Sequence, residues 1–211
     1  MQLTKHTHAT VVLRDGDRAL LLDPGAYTPD SAELVADASA VLITHDHPDH
    51  YDASILQAAL AAQPDLRVWA PAGVAAELGD HDGRVTAVAP GDAFVAGGFE
   101  VVAVGGEHAG IHADVPAMPN VGYLIDGAVY HPGDAYFVPE QEVATLLVPT
   151  SGPWTKLGEL VDFVRAVRPA RAVQIHDLML SDTGRGSFAQ FTQQLTGLEL
   201  ITLPDGASIE V

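Results

Sequence analysis

The chain has 211 residues, enough for one large domain or two small ones with a sizeable core. Hydrophobic residues make up 47% of it, so it is predicted to fold, and no apolar stretch reaches the roughly 20 residues of a membrane helix. Ten Lys and Arg against 28 Asp and Glu give a formal net charge of −18, which argues against binding to nucleic acid or to an anionic membrane surface.

The absence of cysteine excludes disulfides, thiolate metal ligands and a cysteine nucleophile. The N-terminal segment 1–18 contains no long apolar region of the signal-peptide kind. These features predict a cytoplasmic protein that acts on a small molecule and leave its oligomeric state undetermined.

Apolar runs separated by turn signals predict strands in the first half of the chain. A hairpin is expected where segments 9–14 and 18–23 flank an Asp-Gly turn in the sequence Asp-Gly-Asp. Further strands are predicted at 38–45, 66–70 and 84–90, and helices at 52–63 and 71–79. Asp52 has the position of an N-cap, Pro71 lies near the start of the second helix, and Gly79 lies just past its end.

The second half has a similar pattern. Segment 91–106 predicts two strands joined at a Gly-Gly turn, and 121–134 predicts a hairpin around Asp126-Gly127. Other strands are predicted at 145–152, 171–177 and 207–211, and helices at 155–169 and 187–195. The G-x-G-x-x-A pattern at 184–189 leaves no room for a βαβ unit and is assigned to a loop and a helix start.

This mixture of hairpin-joined strands and strands separated by helices predicts an α/β fold with sheets covered by helices. The natural seam lies near Pro90. Both halves are nevertheless expected to pack as a single domain over residues 1–211.

Metal-binding side chains are concentrated directly after the apolar segment 40–44, a predicted buried strand. Four of them fall within six positions: His45, His47, Asp49 and His50. Pro48 removes a backbone N–H and makes the chain turn. Imidazole and carboxylate are ligands that Zn(II) and similar ions take. Groups so crowded would repel and shift one another's pKa without a cation, so a metal site is predicted rather than an ordinary polar loop.

This run resembles the HxHxDH motif of the metallo-β-lactamase superfamily. Further matches in order and spacing extend the resemblance over almost the whole chain: Leu-Leu-Leu-Asp-Pro-Gly at 20–25, His-Pro-Gly-Asp at 131–134 and Val-Gln-Ile-His-Asp at 173–177. Within the superfamily, segments 119–127, 131–134 and 150–154 most resemble the small metal-dependent hydrolases that include the ascorbate-6-phosphate lactonases.

The resemblance implies a four-layer αββα sandwich with two divalent metal ions at one edge, Zn first and Mn or Fe as alternatives. It implies one ion on His45, His47 and His108, the other on Asp49, His50 and His176, and Asp134 as the bridge between them. It also implies that Asp23 orients a ligand histidine from behind.

Several histidines remain open to more than one interpretation. The superfamily places the third histidine of the first metal just after a strand, which favours His108, directly after segment 91–106 and Glu107, over His112. His8 either faces the site or is a satisfied histidine at a strand edge. His131 is expected to have a structural role or to support the ligands. For Trp154 and Lys156, the default expectation is a core tryptophan and a solvated lysine.

A hydroxide bridging the two ions would attack an ester, lactone or phosphodiester of a small molecule. Asp49 would orient the water that forms this hydroxide and carry its proton. The alternatives are an iron-dependent oxygen or redox enzyme on the same fold and a non-catalytic metal-binding protein. Di-iron oxygen-reducing members typically carry glutamate at the second motif histidine, so His47 disfavours the first alternative. The full ligand set disfavours the second.

Overall fold

A computed structural model describes residues 1–211. The strands are β1 Gln2–Lys5, β2 Val11–Asp15, β3 Arg18–Leu22, β4 Ala40–Leu42, β5 Arg67–Ala70, β6 Val85–Ala87, β7 Ala93–Ala96, β8 Phe99–Glu107, β9 Pro119–Ile125, β10 Val129–His131, β11 Thr145–Pro149, β12 Arg171–Ile175, β13 Leu200–Ile201 and β14 Ala207–Glu210. The helices are α1 Ser31–Ala36, α2 Ala53–Ala62, α3 Ala72–Leu78, α4 Leu157–Val167 and α5 Asp182–Thr196. No helix combines the length and the apolar character that crossing a bilayer requires.

The strands form two seven-stranded mixed sheets. Their orders are β14-β1-β2-β3-β4-β5-β6 and β13-β12-β11-β10-β9-β8-β7. The change of sheet falls near Pro90, where the sequence predicted a seam, and β14 returns to pair with β1 in the first sheet. Strands β8, β10, β11 and β12 all point the same way. Both β8 and β10 run antiparallel to β9, while β11 is parallel to β10 and β12 is parallel to β11. The carboxyl ends of these strands therefore meet at one edge.

Alternation along the strands produces the layers. In β2, Leu13 is buried in a cluster shared by both sheets, together with Phe99 and Tyr123. Val12 points the other way and packs in a second cluster with Leu56 of α2, α1 and α3. A third cluster covers the outer face of the second sheet with α4, and side chains of α5 pack against it. The predicted αββα sandwich is confirmed.

Most predicted elements form close to their expected positions. The side chain of Asp52 caps α2 by accepting hydrogen bonds from the N–H groups of Ser54 and Ile55. The first hairpin is present, but Asp15 pairs with Arg18, so its two turn residues are Gly-Asp rather than the predicted Asp-Gly.

Three elements were not predicted, namely β1, α1 and β13, and α5 was predicted too short. It begins at Asp182, so the segment 184–186 assigned to a loop is helical. Ser181 caps the helix by accepting from the Gly184 N–H, and Phe188 packs on the third cluster. Capping and packing together outweigh the penalty of about 1 kcal/mol for each helical glycine.

Candidate metal centre

The seven side chains predicted as ligands converge at one edge of the sandwich. They follow β4, β8, β10 and β12, whose ends meet there. Their ligand atoms, with one further histidine, form two groups: His45, His47, His108 and Asp134, and His8, Asp49, His50 and His176. Within each group all ligand atoms lie within 4.8 Å of one another.

The loop after β4 is held in its turn by the segment that follows β3. The Ala26 N–H donates to the Pro48 carbonyl at 2.7 Å, and the His50 N–H donates to the His47 carbonyl at 3.0 Å. A Cβ at Gly25 would lie only 2.0 Å from the Asp49 carbonyl oxygen. The glycine of the Leu-Leu-Leu-Asp-Pro-Gly segment therefore lets the two loops approach.

His45 is fixed from behind by Thr44 and Asp23. The Thr44 hydroxyl donates to Asp23 Oδ2 at 2.7 Å and lies 3.0 Å from His45 Nδ1. With its proton already directed at Asp23, the hydroxyl can only accept from the imidazole, so Nδ1 carries the proton and Nε2 is free to bind a metal. That Nε2 lies 3.0 Å from Nδ1 of His47.

His108 lies directly after β8. Its Nδ1 donates to the Ala109 carbonyl at 2.6 Å, which leaves Nε2 without a proton, 3.4 Å from Asp134 Oδ2. The alternative candidate, His112, has a side chain 68% exposed, 3.5 Å from Asp114, and belongs to neither group. The geometry therefore favours His108 over His112 as the ligand.

Replacing the two histidines separately tests this assignment. His108→Ala should lose metal affinity by more than the 10–100-fold typical of a supporting residue, because a ligand itself is removed. His112→Ala should retain wild-type affinity. The metal content of the two variants is measured after dialysis by elemental analysis. A larger loss for His112→Ala than for His108→Ala would identify His112 as the ligand instead.

Asp134 stands between the two groups. In the second group, His50 Nε2 lies 3.2 Å from Asp134 Oδ1, and His176 Nε2 lies 3.1 Å from Asp134 Oδ2. On their other sides, His50 Nδ1 donates to Asp23 Oδ2 at 2.7 Å and His176 Nδ1 donates to the Ser151 carbonyl at 2.8 Å. Both rings are thus turned so that Nε2 faces Asp134.

His8, whose role the sequence left open, faces the site. Its Nε2 lies 3.0 Å from Asp49 Oδ2, and its ring centroid lies 3.7 Å from that of His176. Its carbonyl accepts the His176 N–H at 2.8 Å, and its φ is 63°, in the left-handed region. A buried histidine held in this uncommon backbone conformation between two members of the second group supports Asp49.

We expect His8→Ala to weaken binding of the metal ion proposed to sit on Asp49, His50 and His176 by about 10–100-fold, because Asp49 loses the group that orients it. His8→Gln keeps a donor and should recover part of that loss. Titration of metal-free protein with Zn(II) measures both. Full wild-type affinity in His8→Ala would contradict a supporting role, and no recovery in His8→Gln would indicate that His8 is itself a ligand.

Asp134 is positioned by residues outside the motif. Asn120 Oδ1 accepts the Asp134 N–H at 3.0 Å, and a Cβ at Gly133 would lie 2.2 Å from that same oxygen. The indole N–H of Trp154 donates to Asp134 Oδ2 at 3.1 Å. Sequence reasoning placed Trp154 in the core by default. It is buried there, but it also orients the central carboxylate.

The other two polar residues discussed from sequence lie outside the ligand groups. His131 accepts the Gly133 N–H at Nδ1 and lies 3.1 Å from the Ala9 carbonyl through Nε2, so it supports the turn before Asp134. Lys156 is exposed and paired with Glu159.

Four buried polar atoms at this centre make no hydrogen bond: Nε2 of His50, His108 and His176, and Oδ1 of Asp134. The three nitrogens lie 3.1–3.4 Å from Asp134 oxygens, but not in hydrogen-bonding geometry. An unsatisfied buried polar group costs about 1–3 kcal/mol, so several together demand a partner. Imidazole nitrogens and a carboxylate aimed at a common space fit divalent cations.

The charges of the site are strongly coupled. Burial opposes ionisation of Asp134, but His50 and His176 outweigh it and hold the pKa of its carboxyl well below the usual range. Burial likewise opposes the charged form of His176, but Asp134 and Asp49 raise its pKa to about 9. The pKa of His50 is also raised, by Asp134 and Asp23 against its burial. Burial lowers the pKa of His45 well below its usual value.

Metal binding should therefore release protons. The raised pKa values favour the protonated forms of His50 and His176 in the metal-free protein at about pH 7, and a metal must displace those protons. Apparent affinity for Zn(II) should rise with pH through the raised pKa values of His50 and His176, the latter about 9. Calorimetric titration in buffers of different ionisation enthalpy counts the released protons, and zero release at about pH 7 would contradict this account.

Comparisons with known proteins agree with this geometry. A family model described as a beta-lactamase superfamily domain matches residues 2–176. Protein Rv0786c of Mycobacterium tuberculosis is 37% identical over 99% of both chains. A UPF0173 metal-dependent hydrolase of Pyrobaculum arsenaticum is 27% identical over 83% of this chain and 84% of its own. Igni18, a metallo hydrolase of Ignicoccus hospitalis, superposes with a TM-score of 0.76 at 18% identity, over 99% of this chain and 97% of its own.

The narrower resemblance to ascorbate-6-phosphate lactonases stays a prediction, since none of these relatives bears on it. The family match covers most of the chain, and the mycobacterial relative spans all but about 1% of both chains. The chain therefore belongs to the metallo-β-lactamase superfamily, among its small metal-dependent hydrolases, as its motifs predicted.

Proposed function

We propose that this chain hydrolyses an ester, lactone or phosphodiester bond of a small molecule, using two divalent metal ions, with Zn(II) as the first candidate. His45, His47 and His108 would hold one ion, and Asp49, His50 and His176 the other. Asp134 would contact both.

The observation that carries the proposal is the set of four buried, unsatisfied polar atoms around Asp134. They come from both ligand groups, and the Asp134 carboxylate is within 3.4 Å of a histidine from each. A single tetrahedral ion needs four ligands, and the centre offers more than that.

Divalent ions at such a centre lower the pKa of a water molecule towards neutrality and polarise the scissile carbonyl or phosphoryl group. The protein residues provide the orientation. Burial opposes ionisation of Asp49, but His8 at 3.0 Å and His176 at 3.4 Å from its Oδ2 help hold the pKa of its carboxyl below the usual range. Asp49 is therefore ionised, and it can accept a proton from the attacking water and pass it to the leaving group.

Other residues keep the reacting groups in place. Trp154 holds one oxygen of Asp134, and Asp23 holds His50 from behind. These contacts fix the rotamers of the ligands before substrate binds, which is how a site gains preorganised electrostatics. The net charge of −18 supports a small-molecule substrate rather than a nucleic acid.

Elemental analysis of purified protein, followed by a screen of ester, lactone and phosphodiester substrates with Zn(II) and Mn(II), tests the proposal. Metal-dependent turnover of one of these classes, abolished by chelation and restored by metal, is the expected result. Fully occupied redox-active iron without hydrolysis would favour an oxygen or redox enzyme. Bound metal with no turnover of any class would favour a non-catalytic protein.

A further inference from the structure

A cavity of about 210 Å³ opens beside the candidate metal centre. Its wall includes His47 and His108, both proposed ligands, so it is continuous with the site. The rest is formed by the segment between β8 and β9, which contributes Ile111, Val115 and Met118. If the reacting bond lies at the metal centre, a substituent that extends from it into this cavity would contact these apolar side chains.

The charge of the cavity is distinctive. None of the ten Lys and Arg residues lines it, and apart from the two histidines its ionisable side chain is Glu107. Recognition of phosphate or carboxylate normally uses Arg or Lys, whose charge compensates the lost hydration of the anion. An anionic group here would have Glu107 rather than Arg or Lys among its neighbours, in a chain with a net charge of −18.

The size of the cavity limits the group that it holds. Pockets that enclose drug-sized ligands have roughly 300–1,000 Å³, so this one accommodates a smaller group. Its apolar side chains favour an apolar group, because removing apolar surface from water stabilises the complex. A phosphorylated sugar, the substrate type of the lactonases that the motifs resemble, has the wrong charge and polarity for it.

We propose that the cavity binds a short, uncharged apolar arm of the substrate, so that the enzyme acts on neutral acyl compounds rather than on phosphorylated or carboxylated ones. This inference rests on the proposed function for the position of the reacting bond. Val115 lines the cavity and is 47% exposed, so a charged side chain can be introduced there with little disturbance of the core.

The test uses two hydroxamic acids of equal length that bind divalent metals through the same group. Butanohydroxamic acid ends in a methyl group, and succinic monohydroxamic acid ends in a carboxylate. Calorimetry with zinc-loaded protein should give at least about tenfold tighter binding of the neutral compound, ~1.4 kcal/mol. Val115→Lys should narrow or invert that ratio. Val95→Lys, 63% exposed on β7 and outside the cavity lining, is the matched control and should leave the ratio unchanged.

Equal or tighter binding of the anionic compound to the wild type, or no binding of either, would overturn the inference. So would a shift in Val95→Lys as large as that in Val115→Lys. Because calorimetry requires no turnover, discrimination without hydrolysis of any substrate would retain the cavity inference and refute the proposed reaction. Hydrolysis without discrimination would do the reverse.

Discussion

Replacing Asp134 by asparagine is expected to remove one of two bound metal ions and to lower kcat by about a thousandfold or more, ~4 kcal/mol of barrier at 1.36 kcal/mol per tenfold. The carboxylate lies 3.1–3.4 Å from histidines of both ligand groups, so it is placed to touch two ions. Asparagine keeps its shape but halves the oxygen donors and removes the charge.

Folding should change much less than turnover in this variant. The amide oxygen of the introduced asparagine could still accept from the Trp154 indole, and the backbone N–H at this position would keep its bond to Asn120. Asp162→Asn, on the exposed face of α4, is the control for loss of one negative charge and should retain both metals and full kcat. An Asp134→Asn protein with two bound metals and unchanged kcat would contradict the bridging role.

Replacing Asp23 by alanine is expected to lower the free energy of unfolding by about 3–5 kcal/mol. The reason is that the substitution removes a buried carboxylate and leaves its hydrogen-bonding partners unpaired. Asp23 is fully buried and accepts from His50 Nδ1 at 2.7 Å, from the Thr44 N–H at 2.8 Å and from the Thr44 hydroxyl at 2.7 Å. Removing it leaves all three donors without an acceptor. His45 is affected too, since it is held through Thr44.

Metal affinity should also fall by about 10–100-fold in Asp23→Ala, the range typical for residues that orient ligands. Chemical denaturation of chelated protein isolates the stability effect, and zinc titration of the folded variant isolates the effect on affinity. Asp23→Asn retains one acceptor oxygen and should fall between wild type and alanine in both measurements. A stability loss below about 1 kcal/mol with unchanged affinity would mean that Asp23 does not organise the centre.

The candidate ligand set could be predicted because its residues lie in short sequence motifs. His45, His47, Asp49 and His50 follow one strand, and Asp134 and His176 each lie in a short recognisable segment. A buried strand followed by such residues indicates a binding site at that end of the strand. In the structure these side chains come together at one edge of the sandwich. Their role as ligands is the proposal that metal measurements must test.

Of the supporting residues, Asp23 could be predicted from its motif, but the contacts of His8 and Trp154 with the ligands could not. His8 contacts Asp49 across 41 positions of sequence, through a left-handed backbone conformation that no local motif marks. Trp154 reaches Asp134 from the loop after β11, 20 positions further along the chain. Such contacts depend on the tertiary arrangement. The start of α5 was predicted wrongly for a related reason. Its glycines have a weak helix propensity, but capping and packing outweigh it.

The most direct test of a two-metal hydrolase is a crystal structure of zinc-loaded protein with anomalous diffraction data collected above and below the zinc edge. Two zinc peaks are expected roughly 3.5–4 Å apart, with Asp134 touching both. One peak would be coordinated by His45, His47 and His108 and the other by Asp49, His50 and His176. A single peak, or two peaks with Asp134 touching neither, would contradict it.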